Sequence, residues 1–274
     1  MIRGPLEADG RMAAKNAVKI RAALKQVADF NSIFDQYADT HPVPSNNRAM
    51  DRARARAWAI MNIRLHNEAL ESVIWWMWAE AYVLGDLAAQ EWIAHAKETQ
   101  KAVDPKVIVD WSKWKPGDLA AALMLRRPRG FRQLLEQSGV LIRELSRTTL
   151  DDIGTALADS IELGLSAVQA SKLIARHVAS PSRALTIAIT EQNRAMTAAS
   201  MERYRAAEIE QVEWEVSDPC DKCAQNQGVV VTMGQSFPSG VTQPPQHPHC
   251  RCVLLPIIPG SDEWNARNGV FEEV

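Results

Sequence analysis

From Leu6 to Ala38 apolar side chains recur at spacings of three and four, at Val18, Leu24, Val27, Phe30, Ile33, Phe34 and Tyr37, with one glycine and no proline. That is the period of a helix with one buried stripe. The run His41-Pro-Val-Pro-Ser-Asn-Asn47 ends it, because each proline disfavours helical geometry in the residue before it, and Asn46 or Asn47 can cap the next helix. A second helical stretch is predicted from about Asn47 to Val103, closed by Asp104-Pro105. So long a rod calls for a break, and Gly85-Asp86 is the place for it. A further series covers Arg132 to Ala207. Ser166-Ala-Val-Gln169 fits a capping box and Ser180-Pro181 an N-cap followed by proline, which divides the series into helices near 149–163, 167–178 and 181–207. The period then changes to two. Val212, Trp214 and Val216 alternate with Glu213 and Glu215, as in a half-buried strand, and Gly228–Thr232 and Cys250–Leu255 are two more strand candidates. Residues 234–249, rich in Gly, Ser, Gln and Pro, form the loop between them. The predicted class is mainly α (α+β), a multi-helix body ending in a small β module.

Composition sharpens this. With 274 residues and 46% hydrophobic content the chain can bury a core, which excludes disorder as its main state. A net charge of −2 excludes wholesale coating of nucleic acid, so contact with an anion must be local. Residues 1–60 hold ten Lys/Arg against six Asp/Glu, while residues 208–274 hold three against ten, so the amino end can meet an anion and the carboxyl end repels one. The longest apolar window, Val73 to Leu84, is interrupted by Glu80, so no membrane span is expected. Glu7 and Asp9 stand where a secretory signal places its apolar centre, and cytosolic synthesis is expected.

Seven of the nine tryptophans lie between positions 58 and 114. Trp75, Trp76 and Trp78 cannot share one helical face, so at least one indole must leave the main core, toward a second packing surface or a partner. The densest basic cluster, Arg126 to Arg132, reads as a connector before a helix.

All four cysteines fall between 220 and 252. In a cytosolic chain such clustering favours a metal over disulfides. Cys220 and Cys223 are three apart, as are His247 and Cys250, and two such turns can complete a tetrahedron. Cys252 is a fifth candidate, since alternate strand positions would place it on the face of Cys250. Four of Cys220, Cys223, His247, Cys250 and Cys252 are expected to bind structural Zn. Three short strands cannot bury enough apolar area alone, and a metal site can contribute on the order of 10 kcal/mol. A catalytic zinc would need an open position and a nearby base. Strand alternation turns Glu213 and Glu215 away, toward water.

The run Ile189-Thr-Glu191-Gln-Asn193-Arg194, then Tyr204, Trp214, Asp218-Pro-Cys-Asp-Lys-Cys223, Gly228, Phe237 and Pro244-Pro-Gln-His-Pro-His-Cys-Arg-Cys252 resembles the Mu F-like domain of tailed-phage minor head proteins, also called phage head morphogenesis proteins and similar to the SPP1 minor head protein. The resemblance covers about residues 143–256. It implies a minor capsid-internal component of the virion, assembled in the host cytoplasm, which contacts portal protein and/or major capsid protein and supports head assembly or DNA delivery. It implies no enzymatic activity. Packaged DNA, met through local basic clusters, is a further candidate partner. The division expected is a helical interaction body at 1–140, the Mu F-like domain at 141–258 and a tail at 259–274. Residues 1–140 hold no Gly-x-Ser-x-Gly, His-Glu-x-x-His or phosphate-cradling glycine loop, so they read as an interaction body and not a fused enzyme. The alternative is a metal-dependent hydrolase or nuclease built at the Cys/His cluster. Glu191, paired with Arg194 or Arg251, is expected to tie the last helix to the metal module.

Overall fold

The computed structural model describes residues 4–41, 44, 47–99, 120, 128–216 and 221–260. Trp111, Trp114, Asp104-Pro105, Arg126, Arg127, Asp218, Cys220 and the tail from 261 lie outside the described residues. The elements run α1 (Gly4–Leu24), α2 (Phe30–Thr40), α3 (Arg48–Asn62), α4 (Glu68–Thr99), α5 (Arg129–Glu162), α6 (Ala167–Val178), α7 (Pro181–Ala206), β1 (Gln211–Glu215), α8 (Asp221–Ala224), β2 (Val230–Thr232) and β3 (Val253–Ile257). The fold is mainly helical with a small antiparallel sheet in the order β2-β1-β3. Among the described residues no helix is long and apolar enough to cross a membrane.

Several caps act as the sequence implies. Asn47 accepts from the Met50 amide at 3.1 Å, the Ser166 amide donates to Gln169 Oε1 at 3.0 Å, and Ser180 Oγ accepts from the Arg183 amide at 3.2 Å with Pro181 opening α7. The breaks differ from expectation. The stretch 6–38 is two helices, because Asp29 turns its carboxylate onto the amides of Asn31 and Ser32 and starts α2 there. The series expected from Arg132 with a helix near 149–163 is instead one helix that opens at Arg129 and runs unbroken through 149 to Glu162.

The second stretch breaks at 63–67 and not at Gly85. Ile63 is extended at the end of α3, and the His66 amide leaves the helical pattern to donate to Val27 O at 2.8 Å. Gly85 sits inside α4 for a different reason. A Cβ built on it would stand 2.4 Å from Met196 O and 2.6 Å from Met196 Cα, so the glycine is what admits the backbone of α7. Ser200 Oγ donates to Gly85 O at 3.1 Å, and Arg203 binds both Asp86 oxygens at 2.7 and 2.8 Å, fixing the same crossing.

The chain divides into two compact units. One comprises Asn16–Ile74 and Glu136–Leu185. Its core holds Ile20, Leu24, Phe34, Tyr37, Ile153, Leu157 and Ile174. A polar knot is built round Arg183, which binds Asp152 at 2.6 Å and the hydroxyls of Thr148 and Thr149 at 2.9 Å each, and so meets the demand a largely buried guanidinium makes for acceptors. The other unit comprises Met1–Lys15, Trp75–Leu135 and Thr186–Val274. Here Val212, Trp214, Leu254 and Leu255 of the sheet share one core with Ala88, Ala89, Trp92 and Ala96 of α4 and Met201 and Tyr204 of α7. Trp78 and Trp92 are buried, and Trp76 is 38% exposed, the outward indole that the sequence requires.

Replacing Gly85 by Ala would add helix propensity to an open helix. Here it forces a methyl into the Met196 backbone, and the expected result is a loss of about 1–3 kcal/mol in denaturant unfolding. A variant more stable than the parent would refute the close crossing.

Candidate metal centre

The centre is built on a helix that is already in place. α7 presents Thr190, Glu191, Asn193 and Arg194 in one turn, and the segment 247–252 lies across it. The Asn193 amide is buried and spends its Nδ2 hydrogens on Cys250 O at 3.0 Å and Cys252 O at 3.1 Å. Thr190 Oγ1 accepts from the His249 amide at 2.9 Å while donating to Thr186 O at 2.7 Å. That bond helps hold His249 in the left-handed region, φ 66°, an uncommon place for a residue with a Cβ. Two bends of the chain, at 223 and at 247–250, are thereby brought together.

The donor atoms of Cys223, His247 and Cys250 all lie within 4.8 Å of one another. Cys223 Sγ stands 3.0 Å from His247 Nε2. Bond lengths of about 2.3 Å to sulfur and about 2.1 Å to nitrogen give a zinc tetrahedron edges of about 3.6 Å, so the cluster has the right size. The histidine is prepared for the role. Its Nδ1 is 2.8 Å from Pro248 O, an atom that can only accept, so the proton sits on Nδ1 and the Nε2 lone pair faces the cysteines. The Cys250 amide donates to His247 O at 3.2 Å, closing the turn that spaces the two donors.

Cys252 stands differently. β3 starts at Val253, so Cys250 and Cys252 occupy the irregular run before the strand, not one strand face. Their carbonyls are held by Asn193 instead of by a ladder partner. The Cys252 thiol hydrogen-bonds Cys250, which holds the Cys250 thiol below the usual cysteine range despite its burial. The same bond, with burial and the neighbouring charge, pushes Cys252 up. The hydrogen bond thus favours the charged form of Cys250 and the protonated form of Cys252. Of the five candidates the structure thus gathers Cys223, His247 and Cys250 as one donor set, with Cys252 hydrogen-bonded beside them. Cys220 lies outside the described residues. Cys223, Cys250 and Cys252 are all buried and form no disulfide with one another.

Glu191 is buried and pairs with Arg194 at 3.1 Å. Arg194 is one of the two partners expected for Glu191, and Asn193 and Thr190 add bonds from α7 to the turn. Asn226, unmarked in the sequence, orders the loop between β2 and β3: it donates to Ser239 Oγ at 2.7 Å and accepts from the Ser239 amide at 3.1 Å. Tyr204, fully buried, donates to Leu254 O at 2.9 Å. Burial raises its hydroxyl well above the usual tyrosine range.

Residues 151–255, from within α5 to β3, match the family described as Phage Mu protein F like protein. The match is to this stretch, less than half of the chain, which is similar to Phage Mu F-like proteins. No curated protein and no solved structure matches the chain. The Mu F-like domain points to a phage head morphogenesis protein. It holds every residue of the centre, from Thr190 to Cys252.

In purified protein, Cys223→Ser and His247→Ala should each lower zinc content well below the parent's, read by metal analysis after metal-replete expression. Cys252→Ser should retain it. Equal losses for Cys252→Ser and Cys223→Ser would return Cys252 to the ligand set.

Proposed function

We propose that the chain is a minor head protein of a tailed phage, carried inside the virion's head after assembly in the host cytoplasm, and that it acts by docking on portal protein and/or major capsid protein and not by turnover. The observation that carries this reading is the Mu F-like domain at 151–255 with its Cys/His turn clamped to α7 by Asn193. Structural zinc fits the donor set. Cys223 and Cys250 are each 1% exposed, and a thiolate-rich, sequestered cluster suits a closed ion better than one that must admit water and substrate. In this role the metal adds to a sheet whose strands are too short to stand alone, and the carboxyl-terminal unit presents a fixed surface.

Capture of the cognate portal and major capsid proteins by the tagged chain tests the reading directly. Retention of at least one of them is expected, and failure with both would overturn it. Chelation should loosen the segment from 208 to 258 in hydrogen exchange while leaving most of the far-ultraviolet helical signal. A protein unchanged by chelation would remove zinc from the scheme.

A further inference from the structure

A trough of about 580 Å³ lies beside α1 and α6, within the unit 16–74 and 136–185. Four cations line it: Arg21 and Lys25, one turn apart on and just past α1, and Lys172 and Arg176, one turn apart on α6. No carboxylate is among its lining residues, and none of the four has one within ion-pair distance among the described residues. The sequence carries this imbalance: residues 10–28 and 163–190 contain no Asp or Glu. Arg21 is held by its Nε to Ala179 O at 2.9 Å, so that guanidinium is positioned and not simply solvated. In a chain of net charge −2, such a gathering of unneutralised cations calls for an anionic partner.

The apolar surface decides which kind. Leu165 and Ala175, both half-buried, line the same trough, and Val168, one turn before Lys172 on α6, is 60% exposed. A phosphodiester backbone gains little from such carbons. A helix or extended segment that alternates carboxylates with apolar side chains would use both parts of the surface. We infer that the α1–α6 trough is a docking groove for an acidic amphipathic segment of a partner protein. Pairing of the cations with Asp or Glu steers and orients the segment, and contact with Leu165, Ala175 and Val168 retains it.

This names a surface for the docking proposed above and rests on that reading only for the identity of the partner. Synthetic-peptide binding and portal capture therefore fail separately. The test is fluorescence anisotropy of the full chain with a labelled helix-forming peptide carrying Glu at i, i+4 and Leu between. Lys- and Ser-substituted peptides and a random-sequence DNA duplex serve as alternative probes. The Glu/Leu peptide should bind and weaken with salt. Lys172→Glu with Arg176→Glu, both exposed and checked by circular dichroism, should weaken it by about tenfold or more, since each favourable pair becomes a like-charge contact. The neutral pair Lys172→Gln with Arg176→Gln should fall between. Val168→Ser should weaken the peptide and leave any DNA binding unchanged. No peptide binding, unchanged binding by the charge-reversed protein, or DNA displacing the peptide with no effect of Val168→Ser would each overturn the proposal.

Discussion

A sheet with strands of five, three and five residues has no interior of its own, and its position depends on the polar contacts α7 makes with it. Asn193 and Tyr204 satisfy three carbonyls along residues 250–254, two with one amide and one with a buried hydroxyl. Each such carbonyl, deprived of its partner, would cost about 1–3 kcal/mol. The bonds therefore select one seating of the module on the helix, and apolar burial by Trp214, Leu254 and Leu255 comes with that seating. The segment that carries His247 and Cys250 is held on α7 at 249, 250 and 252, and there it meets Cys223.

This seating explains what a metal ion would add. His247 turns Nδ1 to Pro248 O and leaves Nε2 to the cysteines, and the bond from Cys252 favours the charged form of Cys250 that a cation requires. Cys223, whose Sγ lies 3.0 Å from His247 Nε2, must still give up its thiol proton for a cation to bind there. A metal ion held by these donors would close the bends at 223 and 247–250 against each other, which the three short strands cannot do.

Much of this was legible in the residues. Helical period, the caps at Asn47, Ser166 and Ser180, the alternation of β1 and the paired cysteine and histidine spacings are local signals, and local geometry decides them. Gly85 misled because a glycine serves equally as a helix break and as a site of close approach, and only the partner helix tells which. Asp29 was an N-cap hidden inside a continuous apolar period. Cys250 and Cys252 looked like alternate positions of a strand, yet a side-chain amide holds the carbonyls that a ladder would have held. The bonds of Asn193, Thr190 and Asn226 could not be read from the sequence, although the first two stand in the run 189–194, since a side chain that bonds a distant backbone leaves no periodic trace. The empty acid count around α1 and α6, by contrast, was present in the sequence and needed the trough to give it meaning.

The crossing at Gly85 has an evolutionary consequence. Neighbouring positions of α4 can trade one apolar side chain for another and let the packing adjust. Position 85 faces main chain, which cannot swing aside as a rotamer does. A lineage could abandon this glycine only after the two rods had moved apart, and that separation would first cost it the Asp86–Arg203 clasp and the Ser200 bond. Drift at this locus is gated by backbone, so the residue that looked like a point of weakness is among the hardest in the helix to replace.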